Sequence, residues 1–192
     1  MNSPTRAVLW RRIMDDLSFE EARLQRRAAE TEISGTVLIA EAGAPLRVDY
    51  RLICDAGWRT RLVEIDQDYQ GRRQHLLLRH DGSGNWQRDG SDAPDLAGCL
   101  DVDLGVSPST NALPVNRLGL QLGEIGEISA AWVQFPNLTV TAARQSYERL
   151  APARYRYTSL GSGFTAEIDV DDDGFPTEYE GIWRRIAEGV AA

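Results

Sequence analysis

No lysine occurs anywhere in these 192 residues; all 21 basic side chains are arginine. That excludes Schiff-base chemistry and the lysine of a phosphate-binding loop. Histidine and cysteine are almost as scarce, at two each. His75 and His80 stand five apart on an expected strand, hence on opposite faces, which argues against a joint metal site. Cys54 and Cys99 lack metal-type spacing and read as free buried thiols of a reducing compartment. There is no Gly-x-Ser-x-Gly elbow and no glycine-rich phosphate loop. No apolar run approaches the ~18 residues of a membrane span. The opening MNSPTRAVLWRRIMDDL has no apolar signal-peptide core. A cytoplasmic location is the expectation, with no cofactor and no metal.

What is present fits one soluble domain over residues 1–192: 42% hydrophobic and 26% charged residues, with a net charge of −8 and a pI near 4.8. The acidic balance weighs against nucleic acid or an anionic membrane as the main partner. From Gly35 onward the pattern is strand, turn, strand. Leu46, Val48, Tyr50 and Leu52 alternate with Arg47, Asp49 and Arg51, the period of a half-buried strand. Trp58–Asp66 repeats it, with Trp58, Thr60, Leu62 and Glu64 on one face. Asp81-Gly82-Ser83-Gly84-Asn85 reads as a hairpin turn. Further strands are expected at 128–135, 138–144, 154–159, 164–170 and 177–183. Turn signals about every 8–12 residues mark an antiparallel all-β protein. Two segments stay open. Ser18 and Glu21 make a capping box before the helix-prone EEARLQRRAAE, yet Phe19–Gln25 also alternates like a strand. Ile182–Val190 suits a last strand or a short helix.

Three features suggest chemistry. Asp169-Val-Asp171-Asp-Asp173-Gly174, followed by Glu180, matches the calcium loop of an EF-hand position for position. Its flanks read as turn and strand instead of helices, and Pro176 falls within the loop, so an acidic hairpin turn is the better reading. Asp101 and Asp103 would share a strand face about 6.5–7 Å apart, near a glycosidase carboxylate separation. Catalytic pairs flank their substrate from separate elements, however, and Arg117, Arg59 or Arg61 offers an ion-pair partner. The tryptophans are scattered singly, which suits a core with one or two indoles on a pocket.

The stretch Cys99-x-Asp101-Val102-Asp103-Leu104, then Pro108-x-Thr110-Asn111-x-Leu113-Pro114-x-x-Arg117-Leu118, resembles the hallmark of a bacterial family named "putative glycolipid-binding". The likeness extends upstream to Trp10, Tyr50-Arg51 and Cys54-Asp55-x-x-Trp58-x-Thr60-Arg61. Downstream it takes in Trp132-x-x-Phe135-Pro136, Gln145-x-Tyr147, Tyr155-x-Tyr157 and Tyr179-x-x-Ile182-Trp183. Ser107, Ala112 and Asn116 depart from the family's usual Thr, Thr and Arg, leaving one guanidinium where the family has two. The resemblance implies a spiral β-roll, a curled antiparallel sheet forming a partly open barrel, similar in outline to envelope lipoprotein carriers. It also favours a strand over Phe19–Arg27. The function expected from it is non-catalytic binding of an amphiphile such as a glycolipid. Asp101, Asp103, Thr110, Asn111, Arg117, Arg61 and Trp58 are the candidate ligand residues. The alternatives are a carbohydrate-active or hydrolytic enzyme using Asp101 and Asp103, and a structural module without a small ligand. Whether the protein forms a homo-oligomer is left open.

Overall fold

The computed structural model describes residues 5–14 and 18–191. Fifteen strands form one sheet: β1 (Thr5–Arg12), β2 (Ser18–Arg26), β3 (Glu30–Glu41), β4 (Ala44–Asp55), β5 (Thr60–Tyr69), β6 (Arg72–His80), β7 (Trp86–Arg88), β8 (Ser91–Asp92), β9 (Asp101–Leu104), β10 (Ile125–Gln134), β11 (Thr139–Ala151), β12 (Arg154–Ser159), β13 (Thr165–Val170), β14 (Pro176–Tyr179) and β15 (Trp183–Ala191). One short helix, α1 (Ala112–Leu118), interrupts them. The sheet order runs from β8 back to β1, crosses to β15, then runs back to β9. Neighbours are antiparallel except β9 and β10, which are parallel.

This order dictates the curl. The two edge strands, β8 and β9, are consecutive in the chain. At about 4.8 Å between strands, fifteen of them laid flat would put those edges about 67 Å apart. The connection from Asp92 to Asp101 reaches about 32 Å at full extension. The sheet therefore bends until its edges approach, and it stops short of a closed barrel. Near the seam, the Thr60 N–H of β5 donates to Leu100 O at 2.9 Å, and the Val102 N–H donates to Thr60 Oγ1 at 3.1 Å. The buried residues of the inner face form one cluster, from Val8 and Trp10 to Tyr179 and Trp183.

Both open segments are strands. In β2 the residues Ser18, Glu20, Ala22 and Leu24 point inward in strict alternation. Tertiary pairing to β1 and β3 overrides the helix propensity of the same residues. The C-terminal stretch pairs with β1 as β15. The alternation expected for Trp58–Asp66 changes phase: Thr60 is buried, but so are Val63 and Ile65. The register to β4 shifts between Ile53 and Cys54, so Arg61 is an extra residue, a β-bulge that turns the strand over.

Candidate functional site

The hallmark stretch folds as strand, turn and helix. β9 lies beside β10 with Asp103 opposite Trp132. A 3-10 turn at Ser109–Asn111 then feeds α1. Pro114 is tolerated there because the N–H groups of a helix's first turn have no intrahelical acceptor. Gly119 ends the helix with φ +55°, the left-handed conformation that glycine adopts freely.

Asp101 and Asp103 meet different partners. Asp101 is only 1% exposed and takes a two-pronged ion pair from Arg117: Nε donates to Oδ1 at 2.9 Å and Nη2 to Oδ2 at 2.6 Å. Burial pushes the Asp101 carboxyl up, against the pull of Arg117. This pair clamps α1 onto β9. Asp103 has no arginine. Gln145 Nε2 donates to its Oδ2 at 2.6 Å, while Oδ1 has no hydrogen-bond partner among the described residues. Burial pushes this carboxyl up to about 6. Thr110 Oγ1 accepts the Leu104 N–H at 3.3 Å. Asn111 accepts from the Tyr147 phenol at 2.9 Å and donates to Pro108 O at 3.0 Å. Both side chains stitch the turn.

Beneath the turn lies a carboxyl that sequence reasoning missed. Glu20 is fully buried and accepts from Tyr50 at 2.5 Å and from Ser107 at 2.7 Å. Ser109 Oγ lies 2.7 Å from both hydroxyls. Gly35 makes the arrangement possible, since a Cβ there would sit 2.7 Å from the Tyr50 phenol oxygen. Glu20 Oε2 has no partner among the described residues, and burial raises the group to about 7. The one available signal was Glu20's inward place in the Phe19–Gln25 alternation.

Asp103 and Asn111 line a cleft of about 710 Å³. Its remaining wall comes from β10, β11, β12, the turn after β12, β14 and the start of β15, and carries five aromatic side chains: Trp132, Tyr157, Phe164, Tyr179 and Trp183. Tyr157 packs edge-on to Tyr147, with ring centroids 5.4 Å apart. Burial raises the Tyr157 and Tyr179 phenols, helped by the Asp103 carboxylate nearby, so both stay protonated donors. Gly105 leaves room for the Trp132 indole, whose Nε1 lies 2.9 Å from where a Cβ would stand. Trp132, Leu160 and Phe164 keep 37–43% exposure, an apolar rim on a polar floor. None of these aromatics was singled out as a site residue, although Trp132, Tyr157, Tyr179 and Trp183 fall in the resembling segments.

The other candidates lie elsewhere. Trp58 stacks under the Arg26 guanidinium at 5.2 Å, and Arg61 lines a second cleft. The Asp169–Glu180 stretch is a hairpin turn between β13 and β14. Asp171 Oδ1 accepts the N–H groups of Asp173 and Phe175, and Oδ2 faces Arg6 and Arg185. Asp173 pairs with Arg6 and Arg26. Cys54 and Cys99 are free and buried. Among the described residues no His, Cys, Asp and Glu cluster is placed to hold a metal ion, and no helix is long and apolar enough to cross a membrane.

Fold and site together define a class: a single curled sheet whose inner face opens into a large aromatic-walled cleft. The chain belongs to the family described as "Putative glycolipid-binding", whose model matches residues 7–185. It is similar to the crystal structure of a DUF1089 family protein from Pseudomonas aeruginosa, at 36% identity and a TM-score of 0.79. That likeness covers 88% of this chain and 92% of the other. No curated protein matches the chain.

Proposed function

We propose that the protein binds an amphiphile with a sugar head, a glycolipid, in the Asp103 cleft without chemically changing it. The observation that carries this is the unpartnered Asp103 Oδ1 on the floor of an aromatic-walled cleft. A carboxylate oxygen beside an amide offers acceptor and donor capacity to neighbouring sugar hydroxyls. Aromatic faces suit the C–H face of a pyranose ring. The cleft's volume falls in the range of small-ligand pockets, about 300–1,000 Å³. The acyl part runs along the Trp132, Leu160 and Phe164 rim. Two-carboxylate hydrolysis is the weaker reading, because Asp101 is committed to Arg117.

The test is a titration with dodecyl maltoside below its micelle concentration, followed by tryptophan fluorescence, beside dodecanoate as a sugarless control. Saturable binding stronger than that of dodecanoate is expected. Asp103→Asn should weaken it about tenfold or more, the worth of a charge-assisted hydrogen bond, with Tm unchanged or raised. Equal weak binding of both probes, indifferent to Asp103→Asn, overturns the proposal.

A further inference from the structure

Of the 21 arginines, Arg61, Arg72 and Arg79 are the ones that make neither an ion pair nor a hydrogen bond among the described residues. In a chain with 29 acidic side chains, an arginine without a carboxylate is the exception. Two of the three, Arg61 and Arg79, line one cleft of about 620 Å³ between β5, β6 and the chain that leads to the β9 edge.

The acids at this cleft leave both guanidinium groups unanswered. Asp81 Oδ1 accepts the N–H groups of Ser83 and Asn85 at 2.6 and 3.2 Å, and Oδ2 accepts from the Asn85 amide at 2.6 Å. Asp92 takes the Gln87 amide at 3.4 Å. His80 is likewise committed. Its Nε2 accepts the Gly84 N–H at 3.1 Å, so Nδ1 carries the proton and donates to Thr60 O at 2.9 Å. It is a fixed neutral wall, stacked on Trp86 at 4.8 Å.

Arg61 is held in place by the backbone. It is the extra residue of the β5 bulge, a device that re-aims a side chain. Its guanidinium occupies the space above Gly82, where a Cβ would stand 1.6 Å from Nη1. Gly82 has φ +91°, so its conformation and its missing side chain together seat the guanidinium.

We infer that this cleft is a second binding site, separate from the Asp103 cleft, and that it takes a phosphate-bearing anion, either a free phosphate compound or a lipid headgroup. A guanidinium presents a planar fork of N–H donors that matches phosphate oxygens, and two unpaired ones answer a dianion. The inference does not depend on what the Asp103 cleft binds.

Calorimetric titration with sodium pyrophosphate, and flotation with phosphatidylcholine vesicles with and without phosphatidic acid, test it. Arg61→Gln and Arg79→Gln should each weaken binding about tenfold or more, and the double variant should abolish it. Neither arginine holds a partner, so Tm should not move. Arg72→Gln removes an unpaired arginine outside the cleft and should leave binding intact. Arginine-dependent binding of pyrophosphate alone identifies a free phosphate compound. Arginine-dependent binding of acidic vesicles alone identifies a headgroup. Binding of neither probe, or loss equal in Arg72→Gln, overturns the inference.

Discussion

A carboxyl group taken out of water holds its proton to higher pH than it does in the unfolded chain. Glu20, raised to about 7, and Asp103, raised to about 6, are such groups. Through these two groups the folded protein binds more protons than the unfolded one between about pH 4.5 and 7. They make stability fall as pH rises through that window, offset in part by His80, whose burial holds it neutral. Glu20→Gln, which mimics the protonated acid, should remove most of this slope. At pH 8 it should stabilise the protein by roughly 3 kcal/mol, the cost of ionising Glu20 in place. Urea unfolding at pH 5 and pH 8 measures it; a wild-type midpoint that does not fall over that range contradicts the assignment. Little of this was legible beforehand. Asp101 and Arg117 lie in one stretch, so an ion pair between them was among the expected pairings. Gln145 stands 42 residues from Asp103, and only the folded sheet brings them together.

At the scale of elements, α1 is fastened to β9 by the Asp101–Arg117 pair. Removing one member of a buried pair strands a charge, which costs about 3–5 kcal/mol. Arg117→Met should lose that much in urea unfolding. Asp101→Leu together with Arg117→Met should recover a large part, because no uncompensated charge then remains; a double variant as unstable as the single one would refute the account. The strand β4 was readable because its alternation is regular. β5 was readable in position but not in phase, since nothing in the composition marks Arg61 as a bulge. The helix escaped notice because Pro114 sits inside it. The Ser-Pro-Ser-Thr-Asn run and Gly119 were its start and stop signals. β2 was left open between helix and strand by its residues, because Glu20 puts a charge on the buried face, and the resemblance favoured the strand that forms.

For the whole molecule, composition and period established an all-β chain, and the family resemblance supplied the roll. Neither marks the pairing of β1 with β15, which joins strands nearly a whole chain apart and sits in the middle of the sheet. Long-range pairing of this kind leaves no local signature, since any apolar-faced strand suits any other.

The β1–β15 pairing has a kinetic consequence. Read from β9 through β15, then β1 through β8, every strand follows its sheet neighbour in order. From β10 on, the fold is thus an antiparallel meander entered in the middle, with the parallel strand β9 at its edge. Thr5 lies directly across from Ala191, so a short linker can join those strands. New termini can then be opened between Asp92 and Asp101. This circular permutant turns the β1–β15 pairing into a hairpin. It makes a full strand pairing local, while the bonds of Thr60 to Leu100 and Val102 at the β9 edge become the distant ones. Its contact order falls, and two-state folding rates rise as contact order falls. Stopped-flow refolding should find the permutant faster than the native order, whose β1 stays unpaired on one side until β15 arrives.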